Sequence, residues 1–245
     1  MSLPPFSTVE ELPGALTLSE NVYLQLRREI LSCALPPNEK LKLETLRQRF
    51  GVGVTPLREA LSRLAGEKLV AFRGQRGFRV APVSMAELED ITFLRSELEP
   101  LALRLAIENG DDGWEARVVA AHHHLSLLPR QRWKAGDPDF DDWARRHVAF
   151  HNTLVETCGS PRLMAMRATL FDHAQRYQRL FIELGDMDRD DAREHREIFE
   201  AVLARDVKKA EALIRAHVLE TAVALRKLLT DSDAFAGLTD DSAVA

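Results

Sequence analysis

The sequence predicts a mainly α protein in two parts, an N-terminal winged helix-turn-helix and a C-terminal all-α helical bundle. Three observations predict it. Residues 19–82 hold three helical periodicities followed by two short strand-like runs, and from 83 to 230 the helical period continues without a strand signal. The charge divides along the same line. Formal net charge is -5 over 245 residues, yet between Lys40 and Arg79 ten basic residues (Lys40, Lys42, Arg47, Arg49, Arg58, Arg63, Lys68, Arg73, Arg76, Arg79) meet only Glu44, Glu59 and Glu67, a balance of +7. The remaining 23 basic and 35 acidic residues sum to -12. A basic head on an acidic body is expected where one domain meets phosphates and the other does not.

Residues 1–18 contain three prolines and little periodicity, and are expected to form a flexible arm. Ser19 reads as the N-cap of a first helix, SENVYLQLRREILSCAL, with Val22, Leu26 and Ile30 at helical spacing until Pro36 and Pro37 stop it. LETLRQRF is a second short helix and GVGV a tight turn. Thr55 before Pro56 is a helix-start signal for PLREALSRLA, whose core stripe is Leu57, Leu61 and Leu64, with Gly66 available beyond its end. LVAFR and GFRVA, joined by GQRG, complete a two-stranded wing. The third helix would present its N-terminus and Arg58 to a phosphate or a guanine edge, and Arg76 sits at the wing tip beside Gly77. A winged domain used only for protein contacts is the plainer alternative.

Ser84 with Glu87 three residues on forms a capping-box signature that opens the second domain. Helical stretches follow at about 85–109, 113–128, 139–157, 161–184, 190–204 and 206–230. The tail 231–245 is acidic and rich in small residues, and is expected to be disordered. The HHH at 122–124 cannot place three rings on one helix face and reads as helix surface. Cys33 and Cys158 have no CxxC spacing and are expected to be reduced thiols. No apolar run approaches the roughly 18 residues that cross a bilayer, and the start lacks a secretory pattern, so the expectation is a cytoplasmic protein.

Four histidines stand out by geometry. His147 and His151 are one turn apart, and Leu154, Val155 and Cys158 continue their face. His195 shares a stripe with Ile198, Phe199 and Val202; His217 follows Ala210, Leu213 and Ile214. A turn at Arg205-Asp206 puts His195 ten residues before it and His217 eleven after, at nearly equal height on antiparallel helices rising about 1.5 Å per residue. Four imidazoles converging in the bundle suit a divalent metal ion, with zinc the default and nickel, copper or iron as alternatives. Four unrelated core histidines are the competing reading.

The run from LPPNEKL through GVGVTPLREALSRLAGEKLV to RGFRV resembles the N-terminal domain of the GntR family of bacterial transcription regulators. The resemblance implies that Thr55 and Arg58 touch DNA, Arg47 a phosphate, and Gly77 the minor groove. Where relatives commonly carry an arginine in GVSRTP, this chain has Val54. LRSELEPLALRLA, AFHNTLVETCGSPRL and EHREIFEAVLARDVKKAEALIRAHV resemble the three signatures of the all-helical, FCD-type effector domain of the FadR-like branch. That resemblance implies metal ligands at His147, His151, His195 and His217, the first standing where relatives carry aspartate. It also implies a small carboxylate effector, for which Arg95 is the candidate arginine, placed near the inward side of its helix by Ile91, Leu94 and Leu98. A salt bridge from Arg95 to Glu99 is the structural alternative, and Arg104 a weaker candidate.

The expected function is a ligand-responsive, homodimeric DNA-binding regulator, a repressor released by its effector, whose heads read a double-stranded operator with an inverted repeat. The alternatives are a metal-sensing regulator and a metal-dependent hydrolase using Glu194 or Glu197 as base.

Overall fold

Thr17, rather than Ser19, starts the first helix. Its hydroxyl accepts the Glu20 amide while the Glu20 carboxylate accepts the Thr17 N–H, and α1 runs over Leu18–Leu31. Ser19 has Val22 three residues on and can offer only half of this reciprocal cap. In the computed structural model residues 16–74, 77–128, 138–182 and 190–231 are described. Two units divide between Ser84 and Met85.

In the first unit, α2 (Leu43–Phe50) ends at Gly51, whose φ of 64° lies in the left-handed region that glycine adopts without strain. The third helix, α3 (Val54–Gly66), begins before the expected Thr55-Pro56 start, and Gly53 precedes it with no side-chain cap. Pro56 is tolerated at the third position because that amide has no intrahelical partner anyway. Gly66 is the last helical residue instead of lying beyond the end, and Lys68 takes the left-handed turn with φ 59°. The wing has three strands rather than two: β1 (Lys40–Leu41), β2 (Val70–Phe72) and β3 (Phe78–Val80), antiparallel in the order β1-β3-β2. Lys40 pairs with Arg79 and Leu41 with Phe78. Two residues are too few to show an alternation, so β1 was invisible as a pattern. Leu26, Ile30, Leu57, Leu61, Leu64 and Val80 are fully buried between the helices and this sheet.

The second unit contains α4 (Met85–Asn109), α5 (Asp112–Ser126), α6 (Pro138–Val155), α7 (Pro161–Ile182), α8 (Asp191–Leu203) and α9 (Val207–Asp231), with no strand among its described residues. The helix α9 takes in Asp231, the first residue of the expected tail, and α1 takes in Leu18, the last of the expected arm. The rest of the tail, residues 1–15 of the arm, and the link at 129–137 lie outside the described residues. Asp111 caps α5 by accepting the Trp114 amide, and Gly110 leaves room for the Trp114 ring, which a Cβ would meet at 2.1 Å. Trp114 Nε1 donates to the Thr153 carbonyl, tying α5 to α6.

Two interactions set the hairpin that carries the later histidines. Arg205, in the α8–α9 turn with φ 50°, donates to the carbonyls of Ile107 and Gly110 and pairs with Glu115. That fixes the turn against the α4–α5 corner. The helices α4 and α9 pack side by side, with Glu89–Arg226, Glu97–Arg215 and Arg104–Glu211 ion pairs along their outer seam. Exposed pairs of this kind add little stability, so the apolar packing beneath them holds the two helices.

Candidate metal centre and nucleic-acid interface

The buried face of α6 is built from Phe140, Trp143, Ala144, His147, Val148, His151, Leu154 and Val155, the three-and-four spacing of a core stripe. His147 and His151 stand one turn apart on it. His195 lies on the buried stripe of α8 with Ile198, Ala201 and Val202, and His217 on that of α9 with Ala210, Ile214 and Val218. All four rings are buried, and one ring nitrogen from each lies within 4.8 Å of the others. His151 Nε2 is 3.1 Å from His147 Nε2 and 3.2 Å from His195 Nε2. The rings of His195 and His217 are 4.8 Å apart, centroid to centroid, across the short turn.

Around the rings, Trp143 stacks on His147 at 4.8 Å and Phe150 and Phe171 pack edgewise or tilted against His151. His217 Nδ1 and Glu194 Oε2 are 2.9 Å apart, so the carboxylate fixes this ring and its tautomer. Burial first, then His147, His217, His195 and Arg167, hold the His151 pKa well below its ordinary 6.5. At neutral pH its lone pair is available to a ligand-accepting centre. In metal-free protein this histidine binds a proton more readily in the unfolded chain than in the native one, so its contribution to stability is complete above about pH 6.5 and declines as the pH falls below it. Denaturation midpoints of chelator-treated protein at about pH 8 and about pH 5 are expected to differ in that direction.

Arg95 faces the core, but not with Leu94, which is exposed. Its guanidinium is 3.3 Å from Glu99 and 5.1 Å from the centre of the Phe171 ring, and its Nε makes no hydrogen bond. Arg167, which no local sequence pattern marks, is the stronger partner of Glu99: Nε donates to Glu99 at 2.8 Å, and the two terminal nitrogens donate to Asn152 Oδ1 and to the His151 carbonyl. Desolvation pushes the Glu99 pKa up, but Arg167 and Arg95 outweigh it and hold the carboxylate ionised. Arg104 lies on the surface against Glu211. His122 is half-buried and stacked on Phe199 at 4.1 Å, which corrects its reading as plain surface; His123 and His124 are exposed.

Glu194 and Glu197, the candidate bases of a hydrolase, are otherwise engaged. Glu194 holds His217, and Glu197 accepts from Arg193 at 2.7 Å on the outer face.

In the first unit, Val54, Thr55 and Arg58 are exposed on the first turns of α3, while Leu57, Ala60, Leu61 and Leu64 are buried. Arg47 is exposed and pairs with Glu44 at 2.9 Å, a surface contact that a phosphate can replace at small cost. Gly77 has φ 76° and its carbonyl accepts the Arg73 amide at the wing turn. Arg76 lies outside the described residues.

Residues 18–80 match the model of bacterial regulatory proteins of the gntR family, and residues 90–220 match the FCD domain. Over 201 residues the chain is 41% identical to the HTH-type transcriptional repressor GlaR of Escherichia coli strain K12, covering 80% of this chain and 90% of that protein. It is 34% identical to the uncharacterized HTH-type transcriptional regulator BphR of Paraburkholderia xenovorans strain LB400, covering 82% of each. Among solved structures, E. coli McbR/YncC aligns with a TM-score of 0.72 at 21% identity over 87% of this chain and 99% of that one, a likeness of fold.

Proposed function

Because the chain belongs to the gntR family of bacterial regulatory proteins and carries an FCD domain, we propose that it is a homodimeric transcriptional repressor whose helical domain binds a divalent metal and a small organic acid. The family consists of regulators, not enzymes, and no helix among the described residues is long and apolar enough to cross a membrane. The paired heads would read a double-stranded inverted repeat, with Arg47 on a phosphate, Thr55 and Arg58 at base edges or backbone, and Arg76 and Gly77 in the groove beside the wing.

The observation that carries the metal reading is the set of four buried imidazoles. A metal at about 2.0–2.1 Å from each nitrogen sets adjacent donors roughly 2.9–3.4 Å apart, and the two Nε2 separations, 3.1 and 3.2 Å, fall in that range. The widest possible spacing in the set, 4.8 Å, exceeds the ~4.2 Å of two opposed ligands by a few tenths of an ångström. Neutral nitrogen donors favour zinc, nickel or iron over calcium or magnesium. Bound there, the ion would supply a positive charge to which an acid could be drawn. Glu194 would set the His217 ring, as carboxylates behind metal-bound histidines do. Glu194→Gln is therefore expected to weaken metal affinity by about 10–100-fold in a chelator competition.

Arg95 supports the acid. Its buried Nε donor has no partner, a condition that costs on the order of 1–3 kcal/mol, and a carboxylate beside Phe171 would satisfy it while Arg167 kept Glu99. Repression would be relieved as the acid shifts the helical domain between two arrangements. The test is operator binding by metal-loaded and metal-stripped protein, with and without a panel of small carboxylates. Release from DNA by an acid only in the presence of metal is expected. Release by metal alone, with no acid effect, would replace this reading with that of a metal sensor, and indifference to both would end it.

A further inference from the structure

The turn GVGV places its two valines oppositely. Val52 packs against the core of the first unit, whereas Val54, the first residue of α3, is 40% exposed. The other apolar residues along α3 point inward, Leu57, Leu61 and Leu64 being fully buried. Val54 is thus an isopropyl group offered to solvent at the start of a 13-residue helix. Four residues on, and so on the same face, is exposed Arg58; beside it is exposed Thr55. The amides of this first turn receive no side-chain cap, because Gly53 stands at the cap position. The stretch from Lys40 to Arg79 that holds this helix carries ten basic residues against three acidic ones. An apolar group seated among a cation and uncapped amides meets, on one surface, the features of a thymine in a major groove: a C5-methyl on the base edge and phosphates on either side.

We propose that Val54 is a specificity-determining residue that packs its methyls against the C5-methyl of one thymine in each half of the operator. Arg58 holds the adjoining backbone or guanine, and Val54 selects a thymine where a longer cationic side chain would select a guanine. This rests on the reading of the first unit as the DNA reader.

Full-length dimer is first used to select its preferred duplex from a randomised pool. Each thymine of the selected site is then replaced singly by deoxyuridine, which removes only the methyl. Wild-type protein is expected to lose about fourfold in affinity at one thymine per half-site, the worth of one buried methyl, and less than about twofold elsewhere. Val54→Ala should bind the unmodified duplex about as weakly as wild type binds the deoxyuridine duplex, and should no longer respond to the substitution. Val54→Ile should keep the response. Val54→Arg should select a different base at that position. No thymine showing the effect, or the same effect persisting in Val54→Ala, would overturn the assignment. Failure to retain any duplex would overturn the DNA-reading premise along with it, and retention with uniform methyl indifference would overturn this inference alone.

Discussion

His195→Ala is expected to strip the metal from the purified protein, lowering its affinity by more than about 100-fold. The loss should exceed that of an outer carboxylate such as Glu194, for which about 10–100-fold is typical, because a first donor disappears. His195 Nε2 lies 3.2 Å from that of His151, its ring is within 5.2 Å of the other three, and the candidate set among the described residues holds no fifth donor. A hundredfold excess over the dissociation constant stabilises a folded protein by about 2.7 kcal/mol, so the variant's unfolding midpoint should also cease to respond to chelator. Elemental analysis of desalted protein reads the first effect and thermal unfolding with and without chelator the second. His124→Ala, which alters an exposed imidazole on α5 outside the candidate set, serves as the control. Full metal content in His195→Ala would rule out His195 as a ligand and with it the four-histidine site.

The histidine set was legible because it obeys two simple spacings. An i, i+4 pair on one helix and two residues equidistant from a turn can be placed before any coordinates, since helix rise and side-chain direction are nearly constant. The basic head was legible from charge, and its third helix from Leu57, Leu61 and Leu64. The features that were not legible lack periodicity. The strand β1 is two residues long and is defined only by its partner Phe78–Val80. Arg167 lies in PRLMAMRATLF with nothing local to mark it as buried; its role arises from Glu99, 68 residues away. Glu194 is next to His195 in sequence, whereas its hydrogen bond goes to His217 on the next helix. Thr17 carries a readable signal, since Glu20 three residues on completes a capping box, but Ser19 two places later is an equally good cap by residue type. Leu94 shows how narrow a helical stripe is: the buried face of α4 runs through Leu88, Ile91, Arg95, Glu99, Ala102 and Ala106, and Leu94, one residue before Arg95, falls beside it.

Arg167→Met should produce the largest loss of stability, about 3–5 kcal/mol in the helical domain, although it touches no candidate ligand side chain. Methionine fills much of the arginine's length, so the cavity is small and the cost is electrostatic. In the native chain Arg167 and Glu99 are both nearly inaccessible, and the guanidinium distributes its donors among a carboxylate, an amide oxygen and the His151 carbonyl. Without it Glu99 is left to Arg95 alone at 3.3 Å, and Asn152 Oδ1 and the His151 carbonyl each lose a charged donor. For a domain of this size that corresponds to a fall of roughly 10 °C in its unfolding midpoint. The pH dependence separates a lost ion pair from simple mispacking. In wild type the Glu99 pKa lies below its ordinary 4.5, so its contribution is present above about pH 4.5 and lost as the pH falls through the lower native value. In the variant, burial is opposed by one guanidinium instead of two, and the native pKa moves up. The difference between the proteins should therefore be widest near neutrality and narrow on acidification towards about pH 4. A deficit that stays constant with pH would assign the loss to packing. Because the His151 carbonyl is also released, metal affinity should fall as well, but less than in His195→Ala, and head-only properties such as the thymine response of Val54 should stay as they are.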